Sequence, residues 1–154
     1  MPRAVIAATG SYHPDNLVMN AVFDEQFGPG VDDWLVENLT IRQRYWAHAD
    51  QATSDLCVPA ARQALERGGI GPEDLDLIIL STDTPDYLSP STASVVQHRL
   101  GAKKAGTFDL NAACSGFVIG LDTASKFIAA DPRYKNVLVL GGYNMSKHLN
   151  KADK

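Results

Sequence analysis

The run LDLIILST, Leu75–Thr82, limits most sharply what this chain can become. It is too short for a helix and rich in aliphatic residues, and its unbroken apolar core Leu77–Leu80 leaves no polar face for water. A strand of that kind is covered on both sides, which places it inside a parallel sheet flanked by helices. The segments around it fit. RAVIAATG (Arg3–Gly10) reads as another buried strand ended by glycine, GTFDLN (Gly106–Asn111) as a third and KNVLVLGG (Lys135–Gly142) as a fourth.

Helical patterns alternate with these strands. Asn20–Phe27 follows a turn through His13-Pro14-Asp15-Asn16 and stops at Pro29-Gly30, and Asp32-Asp33 open a second helix over WLVENL. Thr53 and Ser54 are cap candidates for a helix Ser54–Arg67, whose Leu56, Ala60, Ala64 and Leu65 recur at helical spacing before Gly68-Gly69. Ser89-Pro90 pairs a cap residue with proline at the first helical position of Ser91–Leu100. The helix Cys114–Ala130 carries Phe117, Leu121, Ala124 and Ile128 on one stripe. Strand and helix in this alternation imply βαβ units with right-handed crossovers, an α/β fold. The expected organisation is one domain over residues 1–154, without repeats or linkers.

Charge and cysteine content narrow the function. A formal net charge of −4, without a Lys/Arg run, gives no electrostatic footprint for nucleic acid or an anionic membrane. Uninterrupted apolar runs fall far short of the ~20 residues of a bilayer span, and MPRAVIAATG lacks a signal-peptide core, so the expected location is the cytoplasm. Two cysteines, Cys57 and Cys114, lack metal-site spacing, and the glycines form neither a dinucleotide fingerprint nor a phosphate loop, so no metal and no cofactor is expected.

The two thiols differ. Cys57 sits among alanines and leucines on a helix and reads as core packing. Cys114 stands in FDLNAACSGFVIGL, between a strand and a helix, with small residues Ala112, Ala113, Ser115 and Gly116 around it. Backbone N–H groups left free at a helix start favour thiolate over thiol, and the small neighbours leave room for a substrate carbonyl. The alternative reading is simple burial. His13, His48, His98 and His148 share no spacing, and each reads as a surface or turn residue.

DLNAACSGF, with its following helix and NVLVLGG, resembles the nucleophile region of the β-ketoacyl-acyl-carrier-protein synthase III family of the thiolase-like superfamily. The likeness extends through GSYHP (Gly10–Pro14), DDWLVENLTIRQRYWA (Asp32–Ala47) and DLIILSTDTPDYLSPSTAS (Asp76–Ser94), nearly the whole chain. It implies the N-terminal half of a thiolase-like fold, with Cys114 as the acyl-accepting nucleophile of a decarboxylative Claisen condensation. The acyl primer would come from a coenzyme A thioester and the malonyl unit from acyl carrier protein. The histidine and asparagine that complete such a site belong to the C-terminal half, so the resemblance implies association with that half and a homodimer. The chain's end, KHLNKADK, reads as a loop, and these 154 residues as one part of a larger catalytic unit.

The same resemblance assigns substrate contacts. Trp34 matches a tryptophan that stacks on adenine, although Asn38 stands where an arginine is usual. Arg42 and Arg44 match an RxR pair that faces an anionic carrier or phosphate; solvated surface charge is the competing reading. Ser89 replaces a bulky aromatic in the TPDYLSPS loop, which in the family reaches the partner's acyl pocket, and so implies room for a longer or branched primer. Met145 matches a pocket-lining aliphatic. Other classes remain open: a starter-unit acyltransferase without decarboxylation, a non-catalytic partner subunit, or a cysteine hydrolase or redox protein, the last lacking a resolving cysteine.

Overall fold

The structure, a computed structural model, describes residues 3–150 and 152. In chain order its elements are β1 (Leu17–Met19), α1 (Ala21–Phe27), α2 (Val31–Leu39), β2 (Gln43–Tyr45), α3 (Thr53–Gly68), β3 (Leu77–Ser81), α4 (Thr92–Leu100), β4 (Gly106–Leu110), α5 (Gly116–Ala130) and β5 (Val137–Gly141). They form two compact units, one from residues through Tyr12 and Gln51–Tyr143, the other from His13–Asp50 and Asn144 onward.

The first unit is built around β3. All five of its residues are buried, and it pairs in parallel with β4 on one side (Leu77 with Gly106) and β5 on the other (Leu77 with Val137). Side chains alternate across the pleat. Ile78 and Leu80 join Leu138 and Leu140 beneath α3 and α4, against Cys57, Ala61, Leu65, Ala93 and Val96. Leu77 and Ile79 face the opposite way, toward Ala124 and Phe127 of α5. The result is a three-layer α/β/α arrangement, the α/β architecture expected of an apolar run like LIIL.

Several boundaries differ from the sequence reading. Arg3–Gly10 forms no strand, and Val5 and Ile6 are 84% and 72% exposed, because an apolar run becomes a strand only beside an edge to pair with, and none of the described strands flanks it. Helix α3 starts at Thr53, so neither Thr53 nor Ser54 is its cap; Ala52 is, and its N–H donates to Asp55 Oδ2 at 2.7 Å. Pro90 is not the first residue of α4. Ser91 caps that helix by accepting from the Ser94 N–H, which puts the start at Thr92, and the Ser89-Pro90 bond is cis.

Helix α5 begins at Gly116 rather than Cys114, since Ala113–Ser115 make a 3₁₀ turn before it. Turn and helix together, Ala113–Ala130, are long and apolar enough by length and composition to cross a bilayer, although Gly116, Gly120 and Ala124 sit buried on one face. The expectation that no segment reaches that length holds for unbroken apolar runs, not for this helix. On the remaining faces Phe117, Val118 and Ile119 are 44%, 67% and 41% exposed.

The second unit is smaller. Strands β1 and β2, unexpected from sequence, pair antiparallel, Leu17 with Tyr45. Asp24 holds the start of α2 by accepting from the N–H groups of Val31 (2.8 Å) and Asp32 (3.0 Å). Residues 151, 153 and 154 of the expected terminal loop, and residues 1 and 2, lie outside the described residues.

Candidate active site

Cys114 stands where the central layers of the first unit end. Strand β4 stops at Leu110, the chain passes Asn111 and Ala112, and the 3₁₀ turn presents an exposed Cys114 immediately before α5. The turn is tight. Ala113 has φ +46°, a left-handed conformation that side chains with a Cβ adopt at a cost of ~1–2 kcal/mol. Ser115 folds back on it, its Oγ donating to the Ala112 carbonyl at 2.8 Å, and the Ala113 N–H reaches Asn111 Oδ1 at 3.4 Å. The thiol is thus accessible, while the N–H groups of Ser115 and Gly116 that follow it are taken up by the carbonyls of Ala112 and Ala113.

Cys57 is the opposite case. It is 3% exposed inside the core, and burial, reinforced by the negative charges of Asp86 and Asp109, pushes its thiol up to about 12. That thiol packs and does not react.

Two carboxylates that the sequence reading passed over anchor this end of the sheet. Asp109, on β4, accepts from the N–H groups of Thr92 (2.7 Å) and Ala93 (2.8 Å), tying the start of α4 to the strand that leads to Cys114. Asp86 does the same for α3, accepting from the Ser54 N–H at 3.0 Å, while its own N–H donates to Thr92 Oγ1 at 2.9 Å. The only sequence signal for either was an acid next to a helix start in space, which spacing along the chain does not reveal.

These bonds root the loop between β3 and α4, together with Thr53 Oγ1 donating to the Thr84 carbonyl at 2.5 Å. The loop's tip is free of the core: Tyr87 is 60% exposed, Leu88 fully so, and Ser89 is exposed as well. Between this loop and β4 runs a cleft of about 390 Å³ lined by Tyr87, Leu88, Ser91, Phe108, Asp109 and Asn111; neither Cys114 nor Ser89 lines it. Asp83, beside the loop's root, is exposed.

The remaining sequence-nominated residues belong to the second unit. Trp34 on α2 is 55% exposed and borders a cleft of about 380 Å³ with Pro29, Gly30 and Val31, so it is not the packed core aromatic of the competing reading. Asn38 donates to the Trp34 carbonyl at 2.9 Å, one helical turn back. Arg42 is exposed, and Met145 is half-buried at a 3₁₀ turn, Met145–Lys147.

Arg44 departs from both of its readings. Its guanidinium lies over the Phe23 ring, 4.4 Å from the centroid, and donates to Asn20 Oδ1 at 2.8 Å, while one nitrogen is buried without a partner. Burial lowers its pKa. Asn20, 1% exposed, completes the cluster by donating to Asp32 Oδ1 (2.8 Å) and the Ile41 carbonyl (2.7 Å). Arg44 therefore holds this unit together instead of offering a free cation.

Of the histidines, His13 stacks on Tyr45 with centroids 3.9 Å apart and donates to the Pro14 carbonyl. His48 pairs with Asp15 at 2.5 Å, which raises the histidine and lowers the carboxylate. Among the described residues no group of three or more His, Cys, Asp or Glu is placed to hold a metal ion.

Comparison with known proteins gives the geometry a family. A family model described as 3-oxoacyl-[acyl-carrier-protein] synthase III matches residues 108–154, the segment that contains Cys114. A β-ketoacyl-[acyl-carrier-protein] synthase III of Desulfitobacterium hafniense is 49% identical over 150 residues, 97% of this chain and 44% of that protein. The chain thus spans about half the length of the relatives it matches. Among solved structures, the 3-oxoacyl-[acyl-carrier-protein] synthase III of Aquifex aeolicus superposes with a TM-score of 0.91 at 37% identity, covering 99% of this chain and 48% of that one. The priming β-ketosynthase of the R1128 polyketide pathway gives 0.91 at 32% identity, covering 97% and 44%. By sequence and by fold, this chain belongs to the β-ketoacyl-acyl-carrier-protein synthase III family and has its thiolase-like architecture.

Proposed function

We propose that this chain is the nucleophile-bearing half of a condensing enzyme, and that Cys114 accepts the acyl group. The observation that carries the reading is an exposed cysteine in a tight turn between β4 and α5, in a chain of this family. The thiolate attacks the carbonyl of an acyl-coenzyme A, the carbon–sulfur bond to coenzyme A breaks, and coenzyme A leaves as the thiol after taking up a proton. Malonyl-acyl carrier protein then loses carbon dioxide, and the carbanion so formed attacks the acyl-cysteine carbonyl. Release of the cysteine thiolate yields the β-ketoacyl carrier thioester. A soft sulfur nucleophile suits both steps, since it forms and gives up a thioester readily.

This chemistry needs no metal or redox cofactor. Its enolate stabilisers, a histidine and an asparagine, would come from the C-terminal half of the fold, so the reading includes association with that half, a homodimer, and a place in the cytoplasm. Trp34 and Arg42 would meet the nucleotide of coenzyme A, and Ser89 and Met145 the acyl chain. Likeness to a polyketide priming enzyme favours, as a second reading, a polyketide carrier as acceptor.

The test is intact-mass spectrometry of the chain after incubation with a panel of acyl-coenzyme A thioesters, beside Cys114→Ala. One acyl adduct, absent from the variant and released by hydroxylamine, is the expected result. An adduct that survives the substitution overturns the assignment, and so does the absence of any adduct when the C-terminal half is present.

A further inference from the structure

We propose that Gly116 and Ser81 form the seat that fixes the turn carrying Cys114, making Gly116 a positioning residue for the thiol. The proposal rests on the reading of Cys114 as the acyl acceptor. Gly116 is the first residue of α5 and is buried against the last residue of β3. A Cβ at position 116 would overlap Ser81 Oγ outright and stand 3.2 Å from Ser81 Cβ. Rotation of the Ser81 hydroxyl about χ1 relieves the first contact but not the second, so the strand and the helix start must also part by a few tenths of an ångström.

Strand β3 cannot be the one that yields. Ser81 is 8% exposed and paired on both sides, with Leu110 of β4 and Gly141 of β5. Its flanks are pinned as well, because the Ser81 carbonyl accepts from the Gly142 N–H at 3.0 Å and the Thr82 N–H donates to the Leu110 carbonyl at 3.0 Å. Shifting a central strand disturbs two ladders at once, whereas the bonds that hold the turn at 113–115 run locally, within residues 111–116, and the turn buries none of its own residues. The helix start, and Cys114 with it, is what moves.

The contact is local to this end of α5. One turn on, a Cβ at Gly120 would meet a methyl group, Val139 Cγ1, at 3.0 Å, a contact relieved by a few tenths of an ångström. The same substitution at the two glycines should therefore separate a general packing loss from displacement of the thiol.

The experiment compares Gly116→Ala, Gly120→Ala and the double variant Gly116→Ala/Ser81→Gly in the full chain. Two rates are read: native alkylation of Cys114 by iodoacetamide, with buried Cys57 silent, and acyl-adduct formation from acyl-coenzyme A. Gly116→Ala should slow both at least fivefold, Gly120→Ala should leave alkylation within twofold of the parent, and the double variant should recover to within threefold. Alkylation of Gly116→Ala within twofold of the parent overturns the proposal, as does a folded double variant, checked by circular dichroism, that is no faster than the single one. If the parent takes no acyl group even with the C-terminal half present but the alkylation series follows this pattern, the seat stands and the acyl-transfer reading falls.

Discussion

Replacing Asp109 should cost more than its half-buried position suggests, because its carboxylate accepts from two N–H groups at the start of α4. Thr92 and Ala93 are both 0% exposed, so in the intact chain their N–H groups depend on this acceptor and not on water. Hydrogen bonds to a charged group contribute ~1.5–3 kcal/mol each, and truncating a helix cap costs ~0.5–2 kcal/mol. Two bonds sharing one carboxylate are worth ~3 kcal/mol on those figures. Asp109→Ala loses all of this, while Asp109→Asn keeps one accepting oxygen and should lose about half. At ~2–4 °C per kcal/mol for a chain of this size, the melting temperature should fall by ~6–12 °C for alanine and ~3–6 °C for asparagine, measured by circular dichroism melts. A fall below ~1 °C for alanine, or equal falls for the two variants, would refute the reasoning.

Other outcomes follow from single contacts. Under native conditions iodoacetamide should modify Cys114 alone, with Cys57 reacting only in denaturant, as peptide mapping would show; native labelling of Cys57 would contradict its burial. Gly142→Ala should destabilise by ~1–3 kcal/mol in urea titration, since its Cβ would stand 2.5 Å from Cys57 Sγ and 2.8 Å from Thr53 Cγ2 in a packed core. The Asp15–His48 pair should be intact between two limits. His48 is raised from 6.5, so its contribution is full at low pH and is lost as pH rises through that raised value; Asp15 is lowered from 3.8, so its share is lost only as pH falls through that lowered value. In an NMR titration Asp15→Asn should bring the His48 midpoint back toward 6.5; an unmoved midpoint would remove Asp15 as the cause.

What the sequence disclosed, and what it hid, follows from how local each cause is. Strand β3 was legible because LIIL admits no solvent face, and α2 because Asp32 and Asp33 mark its first turn. The start of α4 was misplaced because Ser89-Pro90 imitates a cap signal that Ser91 actually supplies. Arg3–Gly10 carries the composition of a strand, yet strand formation depends on a neighbour that local pattern cannot report. Strands β1 and β2 are three residues each, and QRY of β2, half-buried at Arg44 and exposed on either side, has no apolar alternation to betray it.

The site shows the same division. Cys114 stood out through the small residues around it, whereas Asp109, Asp86 and Ser81 act on residues distant in sequence and show only in three dimensions. Arg44 looked like surface charge because its partners, Phe23 on α1 and Asn20 just before it, lie more than twenty residues earlier, beyond α2.

The order of strands in the sheet also sets a timetable for biogenesis. Strand β3 lies at the centre, but both of its partners are made after it, and Leu77 must wait for Val137 to leave the ribosome. At ~5–20 residues per second that interval is roughly 3–12 s. Until β4 follows, the nascent chain carries LIIL with both edges unpaired, and one edge stays open until β5 arrives, in a segment of the kind that self-associates when left exposed. Demand for chaperone holding during synthesis should therefore be concentrated on this one strand, and should end when β5 closes the sheet.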